Sequence, residues 1–246
     1  MCYNRSVTLR LLAALALGLA TVAACGTNDT GTTLHVFAAA SLTTTFTDLG
    51  ERFEASHDGV TVDFNFAGSS DLVAQIDQGA PADVLATADE ASMARLPELI
   101  PGIFATNTMQ IVVPPGNPAG VTSLADLASE DMDVVVCAPQ VPCGAAAAAV
   151  ADNAGLSLHT VSEEQSVTDV LGKVSAGEAD AGLVYLTDVA AAGDSVQGVR
   201  LPGSVNVVNS YPIAPVTDSD LAAEFVALVL SAEGHRVLQA AGFGRP

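Results

Sequence analysis

The stretch Val36–Phe46, VFAAASLTTTF, joins an apolar run to a helix-like segment and decides the fold class. The apolar run ends on three alanines, and Ser41 then opens SLTTTFTDLGERFEAS, whose apolar spacing is typical of an amphipathic helix. Ser41 is either an ordinary helix N-cap or a hydroxyl that, with the free N–H groups of the helix start, faces an anion. The same strand-to-helix transition recurs along the chain, and this recurrence predicts the architecture.

Strand-like and helix-like segments alternate on both sides of this stretch. GVTVDFNFAG and ADVLATA read as strands, and SSDLVAQIDQGA and a short segment from Asp89 to Leu96 read as helices. Further along, DVVVCAP, AGLVYLTD and VNVVNSYPIAPV read as strands, while SLADLA, CGAAAAAVADNAG and SVTDVLGKVSAGEAD read as helices. Two more helices are predicted between Asp218 and Ala241. The alternation predicts an α/β fold whose sheets are mostly parallel and flanked by helices.

Two strands are predicted to connect two such units. The strand near Thr108–Val113 would carry the chain into a second lobe, and the strand near Asn206–Val216 would bring it back. We therefore predict lobe 1 from residues 33–108 plus 209–246 and lobe 2 from residues 109–208. In open α/β sheets ligands bind at the carboxyl ends of strands, so the ligand is expected in the cleft between the lobes.

Charge and motifs exclude several functions. With 8 Lys+Arg against 28 Asp+Glu, the 246-residue chain has a formal net charge of −20, which argues against a nucleic-acid partner. GxSxG, HExxH, GxGxxG and P-loop motifs are absent from the sequence. The histidines show no ligand spacing; they are His35, His57, His159 and His235. We predict no enzyme activity, no cofactor and no resident metal, with a Ser41-based hydrolase as the less favoured alternative.

The N-terminus reads as an export signal. Residues 1–24 carry Arg5 and Arg10 before an apolar run that ends in small residues. Val22–Cys25, VAAC, resembles the bacterial lipobox, after which Cys25 would carry lipid and residues 25–32 would form a linker. The chain would then lie outside the cell membrane, held by lipid alone, and its charge would become −22 because both arginines leave. A plain secretory signal is the alternative.

Two cysteines remain, Cys137 and Cys143 in VVVCAPQVPCG. An even pair in an oxidising compartment predicts a disulfide, and the alternative is two reduced thiols in a tight loop.

Helix starts after predicted strands supply candidate anion donors. They occur at Ser41, at Ser69–Ser70, at Cys143–Gly144 and at Ser166–Val167. Each has unsatisfied backbone N–H groups and a partial positive charge, so several of them facing one cleft could hold an anion without a cationic side chain.

Together VFAAASL, FAGSSDL, GAPADVLATAD and GLVY resemble the molybdate-binding proteins of ABC transporters, in the same order and over nearly the whole mature chain. The resemblance implies a two-lobed periplasmic-binding-protein fold of type II. It also implies high-affinity binding of molybdate or tungstate, held by neutral donors, and delivery to a permease subunit. Sulfate or another tetrahedral oxyanion is the alternative ligand.

The resemblance also implies individual ligand contacts. Ser41 and Ser69 match the family's two serines, Tyr185 matches its tyrosine, and Cys143 and Val167 match backbone N–H donors, with Ser70 as a further candidate. The family often has alanine where this chain has Cys143, a departure that leaves the backbone donor in place. We expect a monomer that binds no metal beyond the oxyanion.

Overall fold

A mixed sheet flanked by helices forms the part of the chain that the computed structural model describes, residues 31–246. The predicted signal segment, Cys25 and nearly all of the linker lie outside the described residues. The strands are β1 (Thr32–Ala39), β2 (Val60–Ala67), β3 (Val84–Ala86), β4 (Gly102–Val113), β5 (Val134–Cys137), β6 (Thr160–Glu164), β7 (Ala181–Tyr185), β8 (Gln197–Val199) and β9 (Val208–Pro215). The α-helices are α1 (Thr43–Ser56), α2 (Ser69–Asp77), α3 (Glu90–Met93), α4 (Pro142–Ala154), α5 (Val167–Ser175), α6 (Leu186–Ala192), α7 (Asp220–Leu230) and α8 (Ala232–Ala240).

The strands follow the order β2-β1-β3-β9-β4-β7-β5-β6, with β8 paired to β4. Parallel pairs lie toward the two ends, where β1 pairs with β2 and β3, and β5 pairs with β6 and β7. The centre is antiparallel, because β9 pairs with β3 and β4, and β4 pairs with β7 and β8. Parallel strands need crossover connections, and the helices supply them.

The long strand β4 belongs to both halves of the sheet. Its residues Gly102–Thr108 pair with β9, and Met109–Val112 pair with β7. The sheet therefore has two halves, one around β1 and one around β5, joined through β4 and β9.

Small aliphatic and phenylalanine side chains fill the core. Phe46 and Phe53 of α1 lie 6.1 and 5.4 Å from the ring of Phe225 in α7, in edge-to-face contact. Strand β5 is buried along its whole length, as expected for a parallel strand covered on both faces.

Several elements differ from the sequence prediction. Strand β6 was not predicted, because four of its five residues are polar and its one apolar residue, Val161, is exposed, so it has no hydrophobic pattern. The strand predicted over AGLVYLTD ends at Tyr185, where Asp188 accepts the Tyr185 backbone N–H at 2.9 Å and α6 begins. SLADLA forms a 3₁₀ turn, Leu124–Ala128, rather than an α-helix.

The region from Gly31 onward has neither a membrane-spanning helix nor a cluster of metal-ligating side chains. None of its helices is long and apolar enough to cross a membrane. None of its groups of three or more His, Cys, Asp or Glu side chains could hold a metal ion.

Candidate functional site

One pocket lies at the carboxyl ends of the six parallel strands. Segments after β1, β2 and β3 form what we call the first wall, and segments at the ends of β5, β6 and β7 form the second wall. The lining residues are Ala39, Ala40, Ser41, Ala67, Gly68, Ser69, Ala88, Val141, Pro142, Cys143, Ser166, Val167 and Tyr185. None of these thirteen described residues has a charged side chain. The structure thus brings Ser41, Ser69, Cys143, Val167 and Tyr185 together.

On the first wall, Ser41 lies in a 3₁₀ turn, Ala40–Leu42, that precedes α1. Its Oγ is 3.0 Å from the Tyr211 hydroxyl, and neither helix start here has a side-chain cap. The ordinary N-cap interpretation of Ser41 is therefore wrong. The turn tilts its hydroxyl toward the strands instead of toward the N–H groups of the helix.

Ser69 is the first residue of α2, and its side chain is almost completely buried. Its Oγ accepts the backbone N–H of Ala88 at 3.0 Å, so the hydroxyl does not cap its own helix. A serine hydroxyl has one proton and two lone pairs. With one lone pair occupied by Ala88, the proton remains available to a partner in the pocket.

On the second wall, α4 begins at Pro142 and α5 at Val167. The N–H groups of Cys143 and Val167 stand in the first turns of these helices, where backbone donors have no intrahelical partner. The cap of α5 is Ser166, whose Oγ accepts the Asp169 N–H at 3.3 Å and donates to the Asp169 carboxylate at 2.8 Å.

Cys137 and Cys143 form a disulfide with their Cα atoms 5.6 Å apart. It ties the end of β5 to the first turn of α4 and closes the loop that carries Val141 and Pro142 into the pocket. Gly144 follows directly, and a Cβ there would meet the carbonyl oxygen of Ala138. Only glycine allows this close approach of α4 to the strand end.

Tyr185 ends β7 with 1 % of its surface exposed. Its hydroxyl accepts a hydrogen bond from the Asn209 side-chain amide at 2.9 Å. Burial, with a smaller effect from Tyr211 nearby, raises the pKa of Tyr185 well above its ordinary value. The hydroxyl therefore keeps its proton at every pH at which the protein is expected to work.

Ser70 does not line the pocket. Its Oγ donates to the carbonyl oxygen of Gln140 at 2.6 Å, because consecutive helical residues point about 100° apart and Ser69 occupies the pocket side. This bond links the first wall to the second. Gly68 makes a second link, since a Cβ at that position would meet the backbone oxygen of Gln165.

One carboxyl group lies beneath the second wall. Asp188 is 7 % exposed, and burial raises its pKa to about 7 despite the hydrogen bond from the Tyr185 backbone N–H, which acts in the opposite direction. The polar environment of the pocket therefore consists of hydroxyl and backbone dipoles, with the Asp188 carboxyl group behind them.

The sequence prediction missed four residues that hold the predicted donors. They are Ala88, Asn107, Asn209 and Tyr211. A period-two pattern was visible in the strand segment VNSY, which places Asn209 and Tyr211 on one face, but nothing in the sequence showed that this face meets the pocket.

The family model described as bacterial extracellular solute-binding protein matches residues 34–244, and the chain belongs to this family. Within that class, the chain is similar to the molybdate-binding protein ModA of Mycobacterium tuberculosis. The two are 47 % identical over 249 residues, which cover 94 % of this chain and 95 % of that protein.

Solved structures share the fold. The periplasmic molybdate-binding protein of Azotobacter vinelandii superposes with a TM-score of 0.75 at 23 % identity, over 87 % of this chain and 99 % of that one. The sulfate-binding protein SubI of Mycobacterium tuberculosis gives a TM-score of 0.74 at 22 % identity, over 86 % of each chain. Because proteins named for two different oxyanions share this fold, the fold alone does not select a ligand.

Proposed function

We propose that this protein binds molybdate, and tungstate without strong discrimination between the two, outside the cytoplasm and delivers the anion to an ABC permease. The observation that carries the proposal is the convergence of the Ser41, Ser69 and Tyr185 hydroxyls with the first turns of α4 and α5 around a pocket without charged side chains. The 47 % identity to the mycobacterial ModA supports molybdate over sulfate.

A pocket built from donors suits a fully deprotonated tetrahedral dianion. Each oxygen of such an ion can accept hydrogen bonds. The ion itself carries no proton, so no N–H or O–H group of the pocket would stand opposite an O–H group of the ligand. Phosphate near neutral pH carries a proton, which needs an acceptor, so it would leave a buried group unpaired at a cost of about 1–3 kcal/mol. Sulfate has the same charge as molybdate but is smaller, so some donors would not reach its oxygens.

Binding is favoured over catalysis by the surroundings of Ser41. In the described part of the chain its Oγ has Tyr211 as partner, and no histidine lines the pocket. The Ser41-based hydrolase therefore lacks a base within reach. We propose a binding protein without catalytic activity, cofactor or resident metal.

Closure of two lobes would bring the donors together. The lobes we propose, residues 33–108 plus 209–246 and residues 109–208, are supported by the change of partner within β4 after Thr108. The pairs Ser70–Gln140 and Gly68–Gln165 are then contacts between lobes in the closed state.

We further propose that the mature chain is a monomer anchored by lipid on Cys25, close enough to the membrane to meet its permease. Labelling with a palmitate analogue should modify the wild-type chain and fail with Cys25→Ser. A wild-type chain that takes up no label would leave a plain secretory signal as the explanation of VAAC, and labelling of the serine variant would place the lipid on another residue.

Calorimetric titration of residues 26–246 tests the proposed ligand, since this chain contains every described core residue. We expect tight one-to-one binding of molybdate and tungstate and weak or no heat with sulfate and phosphate. A preference for sulfate would replace the ligand and keep the mechanism. No heat with any of the four anions would refute the proposal.

A further inference from the structure

Two asparagines lie opposite each other behind the pocket. Asn107 in β4 and Asn209 in β9 are cross-strand partners, so their side chains are on the same face of the sheet. Tyr211 is two residues from Asn209 on the same strand and shares that face. Asn107 is 4 % exposed, although no ligand contact was predicted for it.

Backbone groups fix which way each amide points. The Asn107 oxygen accepts the N–H of Thr108 at 2.9 Å, so its nitrogen faces the Thr187 hydroxyl at 2.7 Å and the Tyr211 hydroxyl at 3.4 Å. The Asn209 nitrogen donates to the carbonyl oxygen of Ala88 at 3.1 Å and to the Tyr185 hydroxyl at 2.9 Å. Since a carbonyl oxygen can only accept, the Asn209 amide cannot turn over without losing this bond.

Fixed amides impose a direction on the hydroxyls. Tyr185 accepts from Asn209, so its own proton points away from Asn209, where an anion in the pocket competes for it with the neighbouring Tyr211 hydroxyl. The Tyr211 hydroxyl accepts a hydrogen bond from Asn107 and lies 3.0 Å from the Ser41 Oγ. The Tyr211 proton is then donated to Ser41. The Ser41 proton in turn is left for the pocket. Ser69 is set in the same way by the Ala88 N–H.

We propose that Asn107 and Asn209 are positioning residues that fix the pocket hydroxyls of Ser41 and Tyr185 as donors, and thereby exclude oxyanions that carry a proton. This inference rests on the proposed function and deepens it. A free hydroxyl could rotate and accept the proton of hydrogen phosphate. A hydroxyl that already accepts a hydrogen bond from the side away from the pocket directs its proton into the pocket, so it meets a bound anion as a donor.

Burial of the tyrosines supports this assignment. Burial raises the pKa of both Tyr185 and Tyr211 above the ordinary value, so neither hydroxyl loses the proton that it donates. The direction of donation is therefore independent of pH across the working range.

The test is a double-mutant cycle with Asn209→Ala and Tyr185→Phe, read by titration with molybdate and with inorganic phosphate at pH 7. We expect Asn209→Ala to weaken molybdate binding about 3–10-fold when Tyr185 is present and less than about 2-fold in the Tyr185→Phe background. The ratio of phosphate to molybdate dissociation constants should shrink at least about 5-fold in Asn209→Ala, because the freed Tyr185 hydroxyl can accept a proton.

Asn206→Ala is the matched control. The Asn206 amide bonds the backbone N–H and carbonyl of Met109 at 3.0 and 2.8 Å and has no bond to a pocket hydroxyl. We expect this variant to lose stability while it keeps the phosphate-to-molybdate ratio. If Asn209→Ala does not fold, Asn107→Ala in the presence and absence of Ser41→Ala gives the equivalent cycle.

The outcomes separate this inference from the proposed function. Equal losses with and without the Tyr185 hydroxyl, together with an unchanged phosphate-to-molybdate ratio, would show that Asn209 has a structural role alone and would overturn the inference. A wild-type chain that binds molybdate would leave the proposed function standing in that case. A wild-type chain that binds none of the oxyanions would remove both.

Discussion

The two walls of the pocket present donors of different kinds. The first wall offers the side-chain hydroxyls of Ser41 and Ser69, each held by a single hydrogen bond from behind. The second wall offers the backbone N–H groups of Cys143 and Val167, held by a disulfide and by the Ser166 cap. Side-chain identity should therefore determine function on the first wall, and backbone geometry should determine it on the second.

The largest effect is expected when both first-wall hydroxyls are removed. A hydrogen bond to a charged group contributes about 1.5–3 kcal/mol, so Ser41→Ala with Ser69→Ala should weaken molybdate binding by about 10²–10⁴-fold in calorimetric titration. The cost in stability should be about 1 kcal/mol for Ser41 and about 1–3 kcal/mol for Ser69, whose loss leaves the buried Ala88 N–H without an acceptor.

Ser70→Ala is the matched control for this double variant. The Ser70 hydroxyl donates to Gln140 outside the pocket, so the Ser70→Ala variant should lose at most about tenfold in molybdate affinity. Equal losses in Ser70→Ala and the double variant would mean that contact between the walls, and not donation to the ligand, explains the serines.

The second-largest effect is expected when one backbone donor of the second wall is removed. Val167 is the first residue of α5, and proline fits the helix at this position, where it removes only the backbone N–H. The preceding residue, Ser166, has an extended backbone, which tolerates a following proline. Val167→Pro should therefore fold and bind molybdate about 10–100-fold more weakly. Unchanged affinity in a folded Val167→Pro would remove this N–H from the site.

The residues that line the pocket were easier to predict than the residues that support them. Tyr185 was named from the family resemblance, within a segment predicted to be strand throughout. Ser41, Ser69, Cys143 and Val167 lie at recognisable strand-to-helix transitions, and the fold brings these transitions to one edge of the sheet. Such transitions are local patterns, so a single sequence shows them.

The supports could not be predicted because they depend on pairing between distant segments. Asn107 and Asn209 are partners only through the β4–β9 register, and Tyr211 meets Ser41 across 170 positions in sequence. Strand β6 was missed for a related reason: its polar residues form a strand because β5 pairs with them, not because of their own pattern.

A smaller effect concerns the stability of the second wall and its dependence on pH. Burial raises the pKa of Asp188 from 3.8 to about 7, so the folded state retains a proton that the unfolded state loses. The stability contributed by this group is fully present below pH 4 and is lost as the pH rises toward 7. In Asp188→Asn, which keeps an acceptor for the Tyr185 N–H, this dependence should disappear.

Denaturant unfolding at pH 5 and pH 7 measures this difference. The free energy of unfolding of the wild type, relative to Asp188→Asn, should fall by roughly 1–2 kcal/mol over that interval. A parallel pH dependence in both proteins would show that Asp188 is ionised in the folded state throughout.

The smallest effect on affinity is expected for Val167→Ala, and it is the sharpest test of the comparison between the walls. The Val167 side chain is 3 % exposed, so its truncation should lower the free energy of unfolding by about 1–2 kcal/mol. Its N–H is unaffected, so molybdate affinity should stay within about 3-fold. Ser41→Ala should give the reverse, a large loss of affinity with a small loss of stability. A loss of more than tenfold in Val167→Ala would mean that side chains on the second wall also determine binding, and the division between side-chain and backbone donors would not hold.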